Sequence, residues 1–103
     1  MLITIRKAKY EDYGLTEDDV SKIMQLCQSK DMRMRKIVRG AAEIAYPGAA
    51  RQLCMSICDG ISYTRFETFD PVPLPQEDFY AYRRKTVKII KIMLDCIKDI
   101  AET

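Results

Sequence analysis

Five cations lie close together between residues 80 and 91, and no acidic residue interrupts them. They are Arg83, Arg84, Lys85, Lys88 and Lys91. Guanidinium and ammonium groups hold phosphates, whereas most solvated helix faces carry charges of both signs. The stretch therefore predicts a surface that contacts the phosphates of a nucleic acid, and a solvated helix face is the alternative interpretation.

A second group of cations lies earlier in the chain. It consists of Arg33, Arg35, Lys36 and Arg39, while acidic residues gather between residues 11 and 19. The net charge is only +2, so the distribution of charge is more informative than its total. We expect a basic and an acidic face, with this second group making secondary contacts to flanking phosphates or simply facing solvent.

Other chemistries find little support in the sequence. The chain has no histidine, and Cys54 and Cys58 are four residues apart, a spacing that does not form the usual zinc frameworks. No glycine-rich phosphate loop, nucleophile elbow or cysteine paired with a base is present. We therefore expect no enzyme, no metal and no cofactor, and we expect the four cysteines to be small core residues without disulfides.

Length and composition are those of one globular domain. The chain has 103 residues, of which 48% are hydrophobic and 31% charged. No apolar run is long enough for a signal-peptide core or a membrane span, so we expect a cytoplasmic protein without a membrane partner. The predicted organisation is a single helical DNA-binding domain over 1–103, with an arm or short strand over 1–14 and a helical core over 15–103.

The elements that must position the cations are helices, because start and stop signals recur along the chain. Thr16 with Asp19 forms a capping-box pattern, Asp31 can cap a second helix, and Ser62 can cap a short fourth one. Pro47 ends the second helix and fits the first turn of the third, which Gly60 closes. The predicted helices begin and end near residues 16–29, 31–46, 47–60, 63–69 and 76–101.

The last predicted helix carries the first group of cations. On a helical wheel an apolar stripe of Phe79, Tyr82, Thr86, Ile90, Met93, Ile97 and Ile100 lies opposite a polar side that includes Tyr80, Arg84, Lys88, Lys91 and Lys98. In the first turns of the polar side, Gln76, Glu77, Tyr80, Ala81 and Arg84 combine groups that read base edges with positive charge. Such a mixture is typical of a recognition helix.

Residues 89–100 are apolar over more than half of the helix circumference. This face is wider than one core seam needs. Either the end of the helix is deeply buried, or it pairs with a second copy of the chain. A homodimer would suit a protein that reads two half-sites of DNA.

The order of a third helix, a turn at 59–61, a short helix, a loop and a basic helix is a helix-turn-helix layout. The segments 57–63, 66–67 and 79–85 resemble the C-terminal helix-turn-helix of ArpU- and RinA-type phage transcriptional regulators, which are themselves similar to region four of bacterial sigma factors. In that group a G-x-S-Y segment begins the supporting helix, and an aromatic pair followed by arginines begins the recognition helix. Here Pro75 and the acidic residues Glu77 and Asp78 replace the usual serine cap.

The resemblance implies an all-α fold of about five helices and a role in a phage or mobile element of a Gram-positive bacterium. The resulting DNA-binding prediction comprises Gln76, Glu77, Tyr80, Ala81, Arg83, Arg84, Lys85, Lys88 and Lys91 of the last helix, with Ser62, Tyr63 and Arg65 of the supporting helix. Expected partners are double-stranded DNA and RNA polymerase or a recombinase. Two alternatives stay open: an accessory factor for excision, and a helical protein interaction module that does not bind DNA.

Overall fold

The computed structural model describes residues 5–102 and the side chains of residues 5–98, and all of its regular structure is helical. The α-helices are α1 (Glu17–Cys27), α2 (Met32–Ala45), α3 (Ala50–Asp59), α4 (Tyr63–Phe66) and α5 (Gln76–Glu102). Two 3-10 helices precede α1 and α3, at Tyr10–Tyr13 and Pro47–Ala49. The predicted all-α fold with five helices and a long C-terminal helix is confirmed.

The predicted strand at the N-terminus falls mostly outside the described residues. From residue 5 onward the chain forms a turn at 5–7 and then the 3-10 helix Tyr10–Tyr13. Gly14 follows with a φ of 74°, a left-handed conformation that glycine adopts without a steric penalty. The described part of residues 1–14 is therefore an ordered arm that leads into α1.

The predicted starts of α1, α2 and α4 are confirmed because each depends on local hydrogen bonds, whereas Pro47 begins a 3-10 helix and α3 starts three residues later, at Ala50. Thr16 Oγ1 accepts the N–H of Asp19, while the Asp19 carboxylate accepts the N–H of Thr16. The side chain of Asp31 accepts the N–H of Arg33 in the same way at the start of α2. Ser62 Oγ accepts the N–H of Arg65 at the start of α4. These side chains satisfy backbone donors that the first turn of a helix leaves free.

Two helix ends differ from the prediction. α1 ends at Cys27, two residues before the predicted end. α4 ends at Phe66 and not near Phe69, because the N–H groups of residues 67–69 bond to carbonyls three residues earlier rather than four. The chain thus continues as tight turns before the proline-containing segment 70–75.

α5 runs through the middle of the molecule, antiparallel to α2. The rings of Tyr46 and Tyr82 are 4.7 Å apart at one end, and Gly40 lies beside Met93 further along. One core cluster joins α2, α3 and α5 through fully buried Val38, Ile57, Val87 and Ile90, together with α1; another lies around Leu53, Phe66 and Phe79. Helix α5 therefore contributes to both parts of the core.

The predicted apolar stripe of α5 is only partly correct. Phe79, Thr86 and Ile90 are fully buried, but Ile97 is 49% exposed. Val87 is fully buried outside that stripe. Every residue from Asp78 to Lys91 is buried or half-buried, because α2, α3, the N-terminal 3-10 helix and neighbouring loops surround this part of α5. The helical wheel assumed that α5 is covered on one side only, whereas in the structure this helix is covered on several sides.

Candidate nucleic-acid interface

The cations of α5 lack acidic partners over residues 83–88. Among the described side chains, none of Arg83, Arg84, Lys85 and Lys88 forms an ion pair with a carboxylate. No acidic residue occurs on α5 between Asp78 and Asp95. Lys91 is different, because its Nζ lies 3.0 Å from the carboxylate of Asp95. The uncompensated part of the predicted group is therefore 83–88, and we name it the α5 basic cluster.

The two arginines of the α5 basic cluster bind neutral acceptors. Arg83 Nε donates to Ser56 Oγ at 3.0 Å, and so ties α5 to α3. Arg84 donates to the carbonyl oxygens of Ala8, at 2.8 Å, and Arg6, at 3.3 Å. None of these three acceptors carries a formal charge, so both guanidinium groups keep their full positive charge close to the protein surface.

The N-terminal arm lies against the first turns of α5. The Arg6 guanidinium bonds to the carboxylate of Asp78 and lies 3.4 Å from that of Glu77. Asp78 and Arg84, which both bond to the arm, lie about one helical turn before and one turn after Ala81. Ala81 is fully buried. The prediction that Ala81 faces DNA is therefore wrong for this conformation, because the isolated helix gave no sign of the arm beside it.

The arm also changes the electrostatics at the start of α5. Arg6 pairs with Asp78 and lies near Glu77, so its single positive charge offsets half of the negative charge of these two acidic residues. The hydrogen bond from Arg6 holds the pKa of Asp78 below its usual range. Lys7 and Lys9 are exposed on either side of Ala8, whose carbonyl holds Arg84. The sequence prediction missed this contribution, although Arg6, Lys7 and Lys9 form a visible basic run.

Tyr80 and Tyr63 have structural partners. The Tyr80 hydroxyl accepts the N–H of Tyr63 at 3.2 Å, and the Tyr63 hydroxyl donates to the carbonyl oxygen of Leu74 at 2.6 Å. These bonds join α5, α4 and the proline-containing loop. The hydroxyl of Ser62 is occupied as a helix cap. Of the predicted DNA-contacting residues outside the basic cluster, Ser62, Arg65, Gln76 and Glu77 are exposed.

The second predicted cluster, on α2, is largely neutralised by acidic residues. Arg35 makes a two-pronged pair with Asp59, with distances of 3.0 and 2.9 Å. Arg33 lies 3.4 Å from Asp31, and Arg39 lies 3.0 Å from Glu43. Lys36 is the member of this set without an ion pair among the described side chains. We name Arg33, Arg35, Lys36 and Arg39 the α2 basic cluster.

The helices and connections of the predicted helix-turn-helix layout occur in the predicted order, but their spacing differs from the usual one. Residues 60–62 join α3 to α4, while residues 67–75 join α4 to α5. The supporting helix α4 has only four residues. A helix-turn-helix usually joins its two helices by three or four residues. The tight turn here therefore lies between α3 and α4, and a longer loop, fixed by Tyr63, leads into α5.

The cysteines do not form one uniform set. Cys27 and Cys54 are buried and Cys58 is half-buried, as expected for core residues, but Cys96 is exposed, which corrects that expectation. Burial raises the pKa of Cys27 to about 11. A hydrogen bond from Cys58 and the nearby Arg35 lower the pKa of Cys54 to about 7. Within the described residues, no group of three or more potential ligands is arranged to hold a metal ion.

Comparison with known proteins adds no family assignment. None of the described helices is long and apolar enough to cross a membrane. The resemblance to ArpU- and RinA-type regulators stays a prediction based on short motifs. No protein-family model, curated protein or solved structure was found to match this chain.

Proposed function

We propose that this protein binds double-stranded DNA through the α5 basic cluster, supplemented by Lys7 and Lys9 of the arm. The supporting observation is that the cations of α5 between residues 83 and 88 have no carboxylate partner among the described side chains. A group of uncompensated cations attracts phosphates, and releases the counterions that surround DNA when it binds. The α2 basic cluster supports binding less, since most of its charge is already paired.

The mode of contact follows from which side chains have free donors. Lys85 and Lys88 carry ammonium groups suited to phosphates. Ala81 is buried and has no side-chain donor, and the half-buried Tyr80 accepts the N–H of Tyr63 through its hydroxyl. Gln76 and Arg65 are exposed, and their amide and guanidinium groups can read base edges. We therefore expect affinity to come mainly from phosphate contacts, and sequence preference to come from Gln76 and Arg65.

The cellular role that fits such a protein is regulation of transcription in a phage or other mobile element, with RNA polymerase as a partner. An accessory factor for excision, with a recombinase as a partner, is the alternative within DNA binding. The position of the target site separates the two roles. A site beside a promoter supports the regulator, and a site beside an attachment sequence supports the excision factor.

Binding to a pool of fragments from the protein's own genomic neighbourhood tests the proposal. Four phosphate contacts should lower the affinity about a hundredfold between about 50 and 200 mM salt. The variant Lys7→Gln/Lys85→Gln should bind more weakly and reduce the slope of log affinity against log salt by about 1.8. Far-UV circular dichroism and thermal unfolding would show that the variant keeps its fold.

The matched control is Lys22→Gln/Lys30→Gln, which removes the same charge from exposed positions in and just after α1. It should bind DNA as the unmodified protein does. Equal loss of binding in both variants would contradict a localised interface. No binding at the lower salt would exclude the DNA proposal and favour the helical interaction module.

A further inference from the structure

The C-terminal half of α5 and the outer side of α2 form an apolar surface that no other part of the described chain, residues 5–98, covers. A shallow groove between the helices is lined by Ile37 and Gly40 of α2 and by Ile92, Met93, Cys96 and Ile97 of α5, with Lys36 at its edge. Ile92 and Ile97 are each 49% exposed. Ile44, one turn beyond Gly40 on the same side of α2, is 62% exposed. We name this surface the α2–α5 face.

Exposure of several large apolar side chains on one continuous surface is typical of an interaction site. Single exposed apolar residues are ordinary, and Leu26 on α1 is one of them, with 50% exposure. The α2–α5 face differs because its residues come from two adjacent helices and meet in a groove. Its floor is Gly40, where a side chain is lacking and Met93 lies close to the backbone.

The charges beside the groove show which partner fits. On α5, Lys88 is one turn before Ile92 and Asp95 is one turn after it, so both flank Ile92 on the helix surface. On α2, Lys36 is one turn before Gly40 and Glu43 is one turn after it. Each helix therefore carries a lysine and an acidic residue on either side of a groove residue, with the lysine nearer its N-terminus.

The antiparallel packing of the two helices makes this pattern self-complementary. Lys36 lies at the end of the groove formed by Cys96 and Ile97, close in level to Asp95, so Glu43 and Lys88 lie towards the other end. The two copies can be related by a two-fold axis that lies in the plane of the face and runs perpendicular to the helices at the level of Gly40. This rotation places each lysine opposite the acidic residue of the same helix in the other copy. Isologous contacts of this kind are the commonest in homo-oligomers.

We infer that the α2–α5 face is the interface of a homodimer in which α5 packs against α5 and α2 against α2 of the second copy. Ile92 and Ile97 form the apolar centre, where hot spots of binding occur, and the Lys88–Asp95 and Lys36–Glu43 contacts form the polar rim. Asp95 and Glu43 also pair with Lys91 and Arg39 along their own helices. These pairs are exposed, so breaking them costs little free energy. The inference does not depend on DNA binding, but in the dimer Lys88 is held by Asp95, so the DNA contacts of α5 then rest on residues 83–85.

Sedimentation equilibrium without DNA, over a wide range of protein concentration, tests the inference. The unmodified protein should reach twice the chain mass of 11.9 kDa. Ile92→Glu and Ile44→Glu should each raise the dissociation constant by about a hundredfold, while Leu26→Glu, at a similarly exposed apolar position, should change it by less than about threefold. Circular dichroism would show that each variant stays folded, and Ile44, the most exposed of the three, gives the variant least able to disturb the core.

The rim is tested separately by Lys36→Glu, which places two acidic residues opposite each other in the proposed dimer. It should raise the dissociation constant several-fold, and Lys22→Glu on α1 should leave it unchanged. A monomer at every concentration would overturn the inference. Equal weakening by Ile92→Glu and Leu26→Glu, or no effect of Lys36→Glu, would also overturn it. Because DNA is absent, these outcomes leave the proposed function untouched.

Discussion

The two basic clusters have similar composition but opposite environments. The α2 basic cluster is exposed, yet three of its four cations are paired with Asp31, Glu43 and Asp59. The α5 basic cluster is half-buried, yet none of its four cations is paired with a carboxylate among the described side chains. A count of cations along the sequence treats the clusters alike. The position of acidic residues in space, more than the number of cations, therefore decides where a positive surface forms.

The largest effect should come from reversing charge in one cluster at a time. Lys7→Glu/Lys85→Glu, in the arm and the α5 basic cluster, should weaken DNA binding at least a hundredfold, because two phosphate contacts become repulsive. Arg33→Glu/Arg39→Glu in the α2 basic cluster changes the net charge equally and should weaken binding less than about fivefold. Fluorescence anisotropy with one labelled duplex at fixed salt measures both. A larger loss of DNA affinity for the α2 variant would contradict the assignment of the DNA contact to the α5 basic cluster.

Burial of Ala81 gives the next largest effect. Ala81→Leu should lower the free energy of unfolding by about 2 kcal/mol, because a fully buried position cannot accept three more carbons without displacing its neighbours. Arg33→Leu, at an exposed position of α2, should change it by less than about 0.5 kcal/mol. Urea unfolding of the two variants measures the difference. Equal stability of the two variants would contradict the burial of Ala81.

Removing the acidic partners should make the α2 basic cluster behave like the α5 basic cluster. The triple variant Asp31→Asn/Glu43→Gln/Asp59→Asn keeps the helix cap, since asparagine also caps helices, and releases three arginines. DNA affinity at low salt should rise about tenfold. Glu11→Gln/Glu17→Gln/Asp18→Asn gives the same charge change elsewhere and should raise it much less. Equal gains would show that only net charge matters.

The smallest effect concerns pH. The hydrogen bond from Arg35 lowers the pKa of Asp59 in the folded state, so this pair stabilises the fold above the unfolded pKa of about 3.9. The stabilisation is lost as the pH falls through the folded pKa. Asp59→Asn should therefore show a smaller fall in Tm on acidification than the unmodified protein. Thermal unfolding between about pH 6 and pH 2 measures this, and parallel curves would contradict it.

The structural features that were predicted correctly from the sequence depend on residues that are close together in the chain. The caps at Thr16, Asp31 and Ser62 and the stop at Gly60 were correct, because each is decided within one turn of chain. The burial of Ala81 was missed, since it depends on an arm that comes from the other end of the sequence. The carboxylate partner of Arg35 was missed for the same reason, because Asp59 lies on α3.

The arm has a consequence for how the chain folds. The bond between Arg6 and Asp78 joins residues 72 positions apart, whereas the caps and the helices form from neighbours. Closing so long a loop costs conformational entropy that only native packing elsewhere can offset. We therefore expect the helices to assemble first and the arm to dock last. By the same reasoning the arm should open locally before the rest of the molecule unfolds, and the amide hydrogens of residues 5–9 should exchange with solvent faster than those of α3.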